Sequence, residues 1–478
     1  MTEERKHKHR IPALPAPRLP PHTSPMVATS TDTLPDAPSR SWRASLQTYL
    51  QPKMLAMLLL GFGSGLPFMM FFSKLSRWLS EVGIDKSTIG FFYWIGLAYA
   101  LKFLWAPVVD RTRIPGLTRM LGQRRSWMMA AVAGTIVGML LIGGADPSPT
   151  VAGSLTPLVI GSFILTYSGA TLDISVDAWR IESGANSEQA NLAAVYQLGY
   201  RFAIMAAGYA LILADIASWQ VTYAATAAMM GAVGLVILFV REPAPSSRKR
   251  STTLAESFRD TVIDPFTDLF VRLGKWIVPV LALVMLYRLS DFTMGVMTQP
   301  LYSDLGYTKT QVGLVQGTFG PWPMIAGAFL GGLLTVRYGM MKTLLLGAVL
   351  TIVTNGAFAW LATQQGAVTW KIFVTILADN LAVGIVGTVF IAYMSSLASR
   401  RYAATQYALL SSAYAFVNKL IAGLSGALYD GVGAVNFFLL TALYGLPAVA
   451  LILYIWRYGS PVAKGESKDE PPTEAIAS

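Results

Sequence analysis

The chain contains no cysteine, which rules out disulfides and thiolate metal sites. Its three histidines, His7, His9 and His22, all fall near the start. No imidazole is therefore at hand further along as a proton relay or metal ligand. Proton chemistry there is left to Asp, Glu, Lys, Arg and Tyr. Charge is scarce as well: Asp, Glu, Lys and Arg make up 13% of the 478 residues, against roughly 25% in a soluble chain.

What fills the chain is apolar. Hydrophobic residues are 54% of it and its mean hydropathy is +0.50. Apolar runs of about 20 residues recur, each long enough to cross a bilayer. The expected class is an all-α membrane protein surrounded by lipid. The formal net charge of +11 comes from Lys and Arg gathered on loops, the usual bias of membrane proteins. No nucleic-acid partner is expected.

Residues 1–45 are polar and rich in Pro, Ser and Thr. They are expected to be a disordered cytoplasmic tail, and they lack the apolar core of a signal peptide. Twelve helices are predicted after them, at about 52–75, 88–109, 126–144, 155–180, 189–214, 219–240, 276–300, 311–335, 343–362, 370–397, 404–428 and 434–457. They divide into six-helix bundles over 46–240 and 276–458. A cytoplasmic loop, 241–275, joins them, and a disordered cytoplasmic tail, 459–478, follows. Basic clusters in the first tail, at Arg111, Arg113, Arg119, Arg124 and Arg125, in the central loop and at Arg400 and Arg401 predict that both termini are cytoplasmic. Within the central loop, Leu254, Phe258, Val262, Phe266 and Phe270 recur every four residues. This is the pattern of an amphipathic helix on a membrane surface, or of a simple tether between the bundles.

Two segments of the chain repeat. Ser80-Glu81-Val82-Gly83-Ile84-Asp85-Lys86-Ser87-Thr88-Ile89-Gly90 returns as Ser303-Asp304-Leu305-Gly306-Tyr307-Thr308-Lys309-Thr310-Gln311-Val312-Gly313. Each copy sits between the first and second apolar segments of its half. A second pair of units, Gly208 to Asp215 and Gly423 to Asp430, is placed with the helices that close each half, the sixth and the twelfth. Such repeats build transporters whose halves pack about an axis along the membrane normal, with substrate bound between them.

A charge at mid-membrane is a candidate for function because burying it there is costly. The candidates are Lys102, Asp173, Asp177, Arg180, Arg201, Arg288, Asp291, Asp379 and Lys419. Asp173 and Asp177 are four apart and share a helix face. Two close carboxylates resist ionising together, which suits one of them to carry a proton. Arg180, three residues beyond Asp177, is either a gating residue or simply its neutralising partner. Gln197 and Arg201 are also four apart, with Tyr196 and Tyr200 beside them. The guanidinium fork suits a carboxylate and tyrosine suits sugar hydroxyls, unless Arg201 is tied up by Asp173 or Asp177. Arg288 and Asp291, three apart, are expected largely to satisfy each other. Asp379-Asn380, Asn418-Lys419, Gln299 and Gln316 add polarity to the second half.

Twelve helices as six plus six around a basic loop resemble the major facilitator superfamily. That family's loop signature between the second and third helices is partly present as Val108-Val109-Asp110-Arg111 followed by Gly122-Gln123-Arg124-Arg125. The second half has Gly332-Leu333-Leu334-Thr335-Val336-Arg337-Tyr338-Gly339, with Val336 at the acidic position. Asp110 and Arg111 are expected to latch one half against the other, or to be an ordinary interfacial ion pair. Arg337 has no acid beside it for a second latch. Leu60-Gly61-Phe62-Gly63-Ser64-Gly65-Leu66-Pro67, Thr88 to Phe92, Tyr99 to Arg111, Leu172-Asp173-Ile174-Ser175-Val176-Asp177-Ala178-Trp179-Arg180 and Gly199-Tyr200-Arg201 together resemble the AmpG-type muropeptide permeases.

That resemblance implies import across the bacterial inner membrane of N-acetylglucosaminyl-1,6-anhydro-N-acetylmuramic acid and its peptides. The import would serve cell-wall recycling and feed the induction of chromosomal β-lactamase. It would be driven by the proton gradient and need no cofactor. By position, the resemblance points to Lys102, Asp110, Arg111, Asp173, Asp177, Arg180 and Arg201. One departure is Leu172, where family members often have Gln.

The expected roles are proton coupling for Asp173 and Asp177, and gating for Asp110, Arg111, Arg180 and Arg337. Substrate binding is expected of Lys102, Gln197, Tyr200, Arg201, Arg288, Asp291, Asp379, Asn380 and Lys419. The same fold carrying an acyl-coenzyme A, a peptide or a drug is the alternative, with a non-transporting sensor behind it. A membrane enzyme is disfavoured because the longest loop is basic and has no acidic cluster. A monomer is the default for this architecture.

Overall fold

The computed structural model describes residues 51–151, 153–183, 188–243, 264–399 and 403–465. Among them all regular structure is helical, as lipid demands of a chain that must satisfy its backbone internally. Twelve spans are long and apolar enough to cross a membrane: α1 (Pro52–Glu81), α2 (Lys86–Leu104), α3 (Gln123–Gly143), α4 (Thr156–Ser183), α5 (Asn191–Ile216), α6 (Trp219–Phe239), α7 (Phe266–Asp304), α8 (Lys309–Tyr338), α9 (Met340–Ala362), α10 (Thr369–Leu397), α11 (Gln406–Val432) and α12 (Ala434–Tyr458).

Most boundaries fall within a few residues of expectation, but two helices differ more. The first runs on past 75 to Glu81, through a π-helical turn at Met70–Leu75. Lys74 and Arg77, which read as the end of an apolar run, are in fact buried at 3% and 4% exposure. The seventh begins earlier, as a helix over Asp264–Leu273 that continues through a tight turn at Gly274–Trp276. Gly274 adopts a φ of +52°, a conformation that glycine takes at little cost. A helix does form over the last part of the expected amphipathic segment, but its buried residues are Leu269 and Leu273, while Phe270 of the expected stripe is exposed. Leu254, Phe258 and Val262 lie outside the described residues, as does the tail over 1–45.

The units Gly208 to Asp215 and Gly423 to Asp430 lie on α5 and α11, not on the last helix of each half. The chain punctuates each place. Ser218 caps the start of α6 by accepting from the Val221 N–H, and Gly433, at φ +78°, separates α11 from α12.

Among the described residues the two halves meet most closely at one end. Where the α1–α2 and α7–α8 turns lie, a single apolar core runs across both halves, joining Trp78, Leu79, Ile89 and Trp219 to Val296, Leu301, Tyr307 and Val312. Toward the other end the second half has its own core, with Leu269, Trp276, Tyr287, Phe390 and Leu397. Glycines set the close approach. A Cβ on Gly90 of α2 would lie 2.7 Å from the Gly423 carbonyl oxygen of α11, and one on Gly313 of α8 would lie 2.7 Å from that of Gly208 on α5. Small residues let helix backbones touch in this way.

Candidate functional site

A cavity of about 360 Å³ lies between the halves. The first half contributes Phe68, Ser73, Lys74, Tyr93 and Arg201; the second contributes Arg288, Asp291, Thr298, Tyr302, Gln316, Met324, Asp379 and Asn380. Lys74 sits on the π-helical turn of α1 and Gln316 on a second one in α8, Val315–Phe319. Such turns widen a helix locally and recur at functional sites. The Lys74 ammonium donates to Gln316 Oε1 at 3.1 Å, and the Gln299 amide donates to the same oxygen at 3.1 Å. This contact joins the two halves across the cavity.

Of the nine residues predicted to bind substrate, five line this cavity: Arg201, Arg288, Asp291, Asp379 and Asn380. Arg288 and Asp291 pair at 3.2 Å, as their spacing predicted. Arg201 pairs with no carboxylate among the described residues; its guanidinium meets the Met324 sulfur of the opposite half. The alternative tie to Asp173 or Asp177 is not formed among the described residues; those acids pair with Lys102 and Arg180. The Asn380 amide donates to the Gly320 carbonyl at 3.1 Å. One oxygen of Asp379 is shielded from solvent without a hydrogen-bond donor.

The other four lie elsewhere. Lys102 pairs with Asp173 at 3.6 Å, inside the first half. The second oxygen of Asp173 is shielded and has no donor. Tyr200 packs its ring against Gly65 of α1. Gln197 is exposed; it sits one turn from Arg201, toward the end where the halves diverge. Lys419 crosses from α11 into the first half, where it donates to the Gly96 carbonyl at 3.2 Å. There it lies over three rings, Phe72 at 4.7 Å, Tyr99 at 5.2 Å and Phe68 at 5.4 Å. An ammonium buried at 4% exposure is stabilised by such ring faces. Asp177 is half exposed and meets Arg180 at 3.5 Å.

The expected latch at Asp110 takes a different form. Asp110 pairs with Arg124 at 2.5 Å, and Arg124 also holds Glu182 at 2.5 Å. Glu242 accepts from the backbone N–H groups of Arg124 and Arg125 at 2.7 and 3.0 Å. Asp110, Arg124 and Glu182 all belong to the first half and Glu242 opens the central loop, so Asp110 ties its own bundle together in this conformation. Arg111 is exposed. Arg337 is exposed over Tyr338, and no acid pairs with it among the described residues. At the same end of the second half, Arg272, Asp268 and Gln406 bond one another.

Among the described residues the ion pairs that join the halves lie instead at the other end, and the sequence repeat writes them twice. Lys86 pairs with Asp304 of the second half at 2.7 Å, and Lys309, its counterpart, pairs with Glu81 of the first at 3.4 Å. Asp430 accepts from the backbone N–H and hydroxyl of Ser87 at 3.0 and 2.8 Å. Asp215 accepts from the same two groups of Thr310 at 3.2 and 2.6 Å. Ser87 and Thr310 open α2 and α8, where the first turn leaves N–H groups unpaired and favours negative charge. Each helix also keeps a cap of its own, Asp85 or Thr308. Arg77, buried beside them, donates to the Tyr307 carbonyl at 2.6 Å.

Sequence reasoning passes over Lys74 and Arg77 as site residues, although one pattern points to them. Lys74, Arg77 and Glu81 fall three and four apart at the end of an apolar run, one helical face kept polar.

Twelve spans in two repeat-related halves around a charged cavity define a secondary transporter. The family model of the Major Facilitator Superfamily matches residues 54–418 and 280–477. The chain is 33% identical over 406 residues to putative transporter AmpG 4 of Rickettsia conorii, covering 84% of this chain and 96% of that one. It is 30% identical over 411 residues to the anhydromuropeptide permease of Escherichia coli K12, covering 85% and 80%. Its fold matches a crystal structure of a bacterial homologue of the human lysosomal transporter Spinster, inward-facing and unoccupied, with a TM-score of 0.64 at 13% identity over 87% of this chain and 98% of that one. The chain belongs to the Major Facilitator Superfamily and, within it, to the AmpG-type transporters. It is a multi-pass membrane protein that moves a small molecule.

Proposed function

We propose that this protein imports anhydromuropeptides, the disaccharide and its peptides, across the bacterial inner membrane by proton-coupled alternating access. The observation that carries the reading is the cavity between the halves, which presents Lys74 and Arg201 without a carboxylate partner. A peptide's carboxylates would complete those cations, and Tyr93, Thr298, Asn380 and Gln316 offer hydroxyls and amides to sugars. The relatedness to a permease of that cargo supports it further. With both termini in the cytoplasm, the crossed contacts close the periplasmic end and the cavity faces inward. Return to the outward state breaks those contacts, and cargo with its proton enters from the periplasm. The protein acts as a monomer, and its import activity supplies the signal for β-lactamase induction.

The test is uptake of labelled anhydro-disaccharide-tripeptide into proteoliposomes with an imposed pH gradient, acid outside. Accumulation that a protonophore abolishes supports the reading. No uptake by folded protein redirects it to the acyl-coenzyme A or peptide alternatives.

Asp173 is the proton carrier in this scheme. It sits beside Lys102 in the first half rather than in the cavity, so its protonation frees Lys102 and rearranges the packing of α2 on α4. Asp173→Asn is expected to cut gradient-driven accumulation by about tenfold or more while cargo exchange without a gradient persists. Accumulation at the wild-type level would remove Asp173 from the coupling. Asp177, half exposed and paired with Arg180, is expected to matter less.

A further inference from the structure

The cavity is electrically lopsided. The wall from the first half presents two cations, Lys74 and Arg201, and no acid. The wall from the second half presents Arg288, Asp291 and Asp379. Arg288 and Asp291 spend their charges on each other at 3.2 Å, through both the Nε–H and an Nη–H. Asp379 is left over. No cation lies within ion-pair distance of it among the described residues, and one of its oxygens has no donor. The Thr354 hydroxyl, shared with the Thr351 carbonyl, and the cavity-lining Tyr302 lie beside Asp379, while the Asn380 amide is committed to the Gly320 carbonyl. A carboxylate with one shielded, donor-free oxygen, whose nearby cation Arg288 is already spent on Asp291 and whose hydroxyl donor Thr354 is shared, is incompletely compensated, and that is costly. A divalent cation would need more oxygens than Asp379 and Asp291 supply, and among the described residues no cluster of three such ligands exists. A single positively charged donor group fits the vacancy better.

We propose that Asp379 binds an ammonium group of the cargo, so that the cavity favours molecules bearing a carboxylate and a separate ammonium. The carboxylate goes to Lys74 and Arg201 on one half, and the ammonium to Asp379 on the other. Such a cargo bridges the halves with opposite charges at its two ends. It thereby draws them together around itself, which a neutral sugar alone does less well. The inference rests on the muropeptide reading and adds to it a preference, among the peptide-bearing cargoes, for those that retain a free amino group.

The test compares two cargoes that differ at one nitrogen: the anhydro-disaccharide bearing a peptide with a free side-chain ammonium, and the same molecule acetylated there. Wild-type protein is expected to prefer the free amine by about tenfold in kcat/KM, the worth of one charge-assisted hydrogen bond. In Asp379→Asn that ratio is expected to fall to about one, whatever happens to the absolute rate, and Asp379→Glu should recover part of it. The ratio separates this role from others, because a proton carrier or a structural residue would depress both cargoes alike and leave it unchanged. An unchanged ratio in Asp379→Asn, or no preference in the wild type, overturns the proposal. If neither cargo is taken up, thermal stabilisation of the purified protein by the same pair reads the preference without transport. A preference there that Asp379→Asn abolishes upholds the ammonium site while transport of this cargo fails; equal stabilisation by both cargoes ends the proposal.

Discussion

A double variant with cysteine in place of Ser87 and Asp430 is expected to be frozen by a short thiol cross-linker, with uptake falling to about a tenth or less and returning when the link is cleaved. The pair Thr310→Cys and Asp215→Cys should behave the same way, because it sits at the repeat-related position in the other half. The chain has no cysteine of its own, so each introduced pair is the only thiol target. The native contacts being replaced are short: Ser87 to Asp430 at 2.8 Å and Thr310 to Asp215 at 2.6 Å between side-chain oxygens. Each joins the halves at the closed end, which alternating access requires to part. A covalent tie there leaves the cavity open to one side only. Single-cysteine controls lose one polar contact at Ser87 or Thr310 and two at Asp430 or Asp215, each worth about 0.5–1.5 kcal/mol on a partly exposed surface, and should retain most of the uptake. Complete cross-linking with uptake unchanged would mean that the halves do not separate at this end.

This gate shows how far the sequence carried and where it stopped. The repeat of Ser80–Gly90 at Ser303–Gly313 was visible, because eleven positions of one pattern in corresponding places are hard to miss. Its partners were not. Asp215 and Asp430 also stand in repeated units, but nothing local says that an acid near the end of α5 reaches the first turn of α8. That depends on which helices of the two halves touch. The partner of Asp110 in this conformation was hidden for a related reason. Its loop signature names an acid and a base without naming the base's partner, and Arg124, fourteen residues on, competes successfully for it at 2.5 Å. Lys419 was recognisable as a charge out of place, yet its three aromatic neighbours come from α1 and α2 and meet only in the fold. Lys74 was lost because a lysine after an apolar run reads as the end of a span. In a transporter it can be the floor of the cavity.

Gly90→Val and Gly313→Val should have the opposite effect to the cross-links, preventing closure where the cross-links prevent opening. A Cβ at Gly90 would fall 2.7 Å from the Gly423 carbonyl oxygen and 2.9 Å from the Gly426 nitrogen, and one at Gly313 would fall 2.7 Å from the Gly208 carbonyl oxygen. These neighbours are backbone atoms in helices, so no rotamer change makes room. α2 and α11, or α5 and α8, must move apart by an ångström or more, and the Lys86–Asp304 and Lys309–Glu81 pairs then stretch beyond contact. The polar contacts at this end each contribute roughly 0.5–1.5 kcal/mol, so losing several moves the balance between the two states by about tenfold or more. Net uptake should drop by a similar factor, because the inward-facing state becomes rare. A cysteine placed at Gln316, on the cavity wall, distinguishes this from misfolding. In the valine variants an impermeant thiol reagent applied from the side of the α1–α2 turn should label it faster than in the parent, whereas an unfolded protein would be labelled equally from both sides. Labelling and uptake both unchanged would mean that the helices absorb the methyl groups without parting, and that the crossed polar contacts alone hold this end shut.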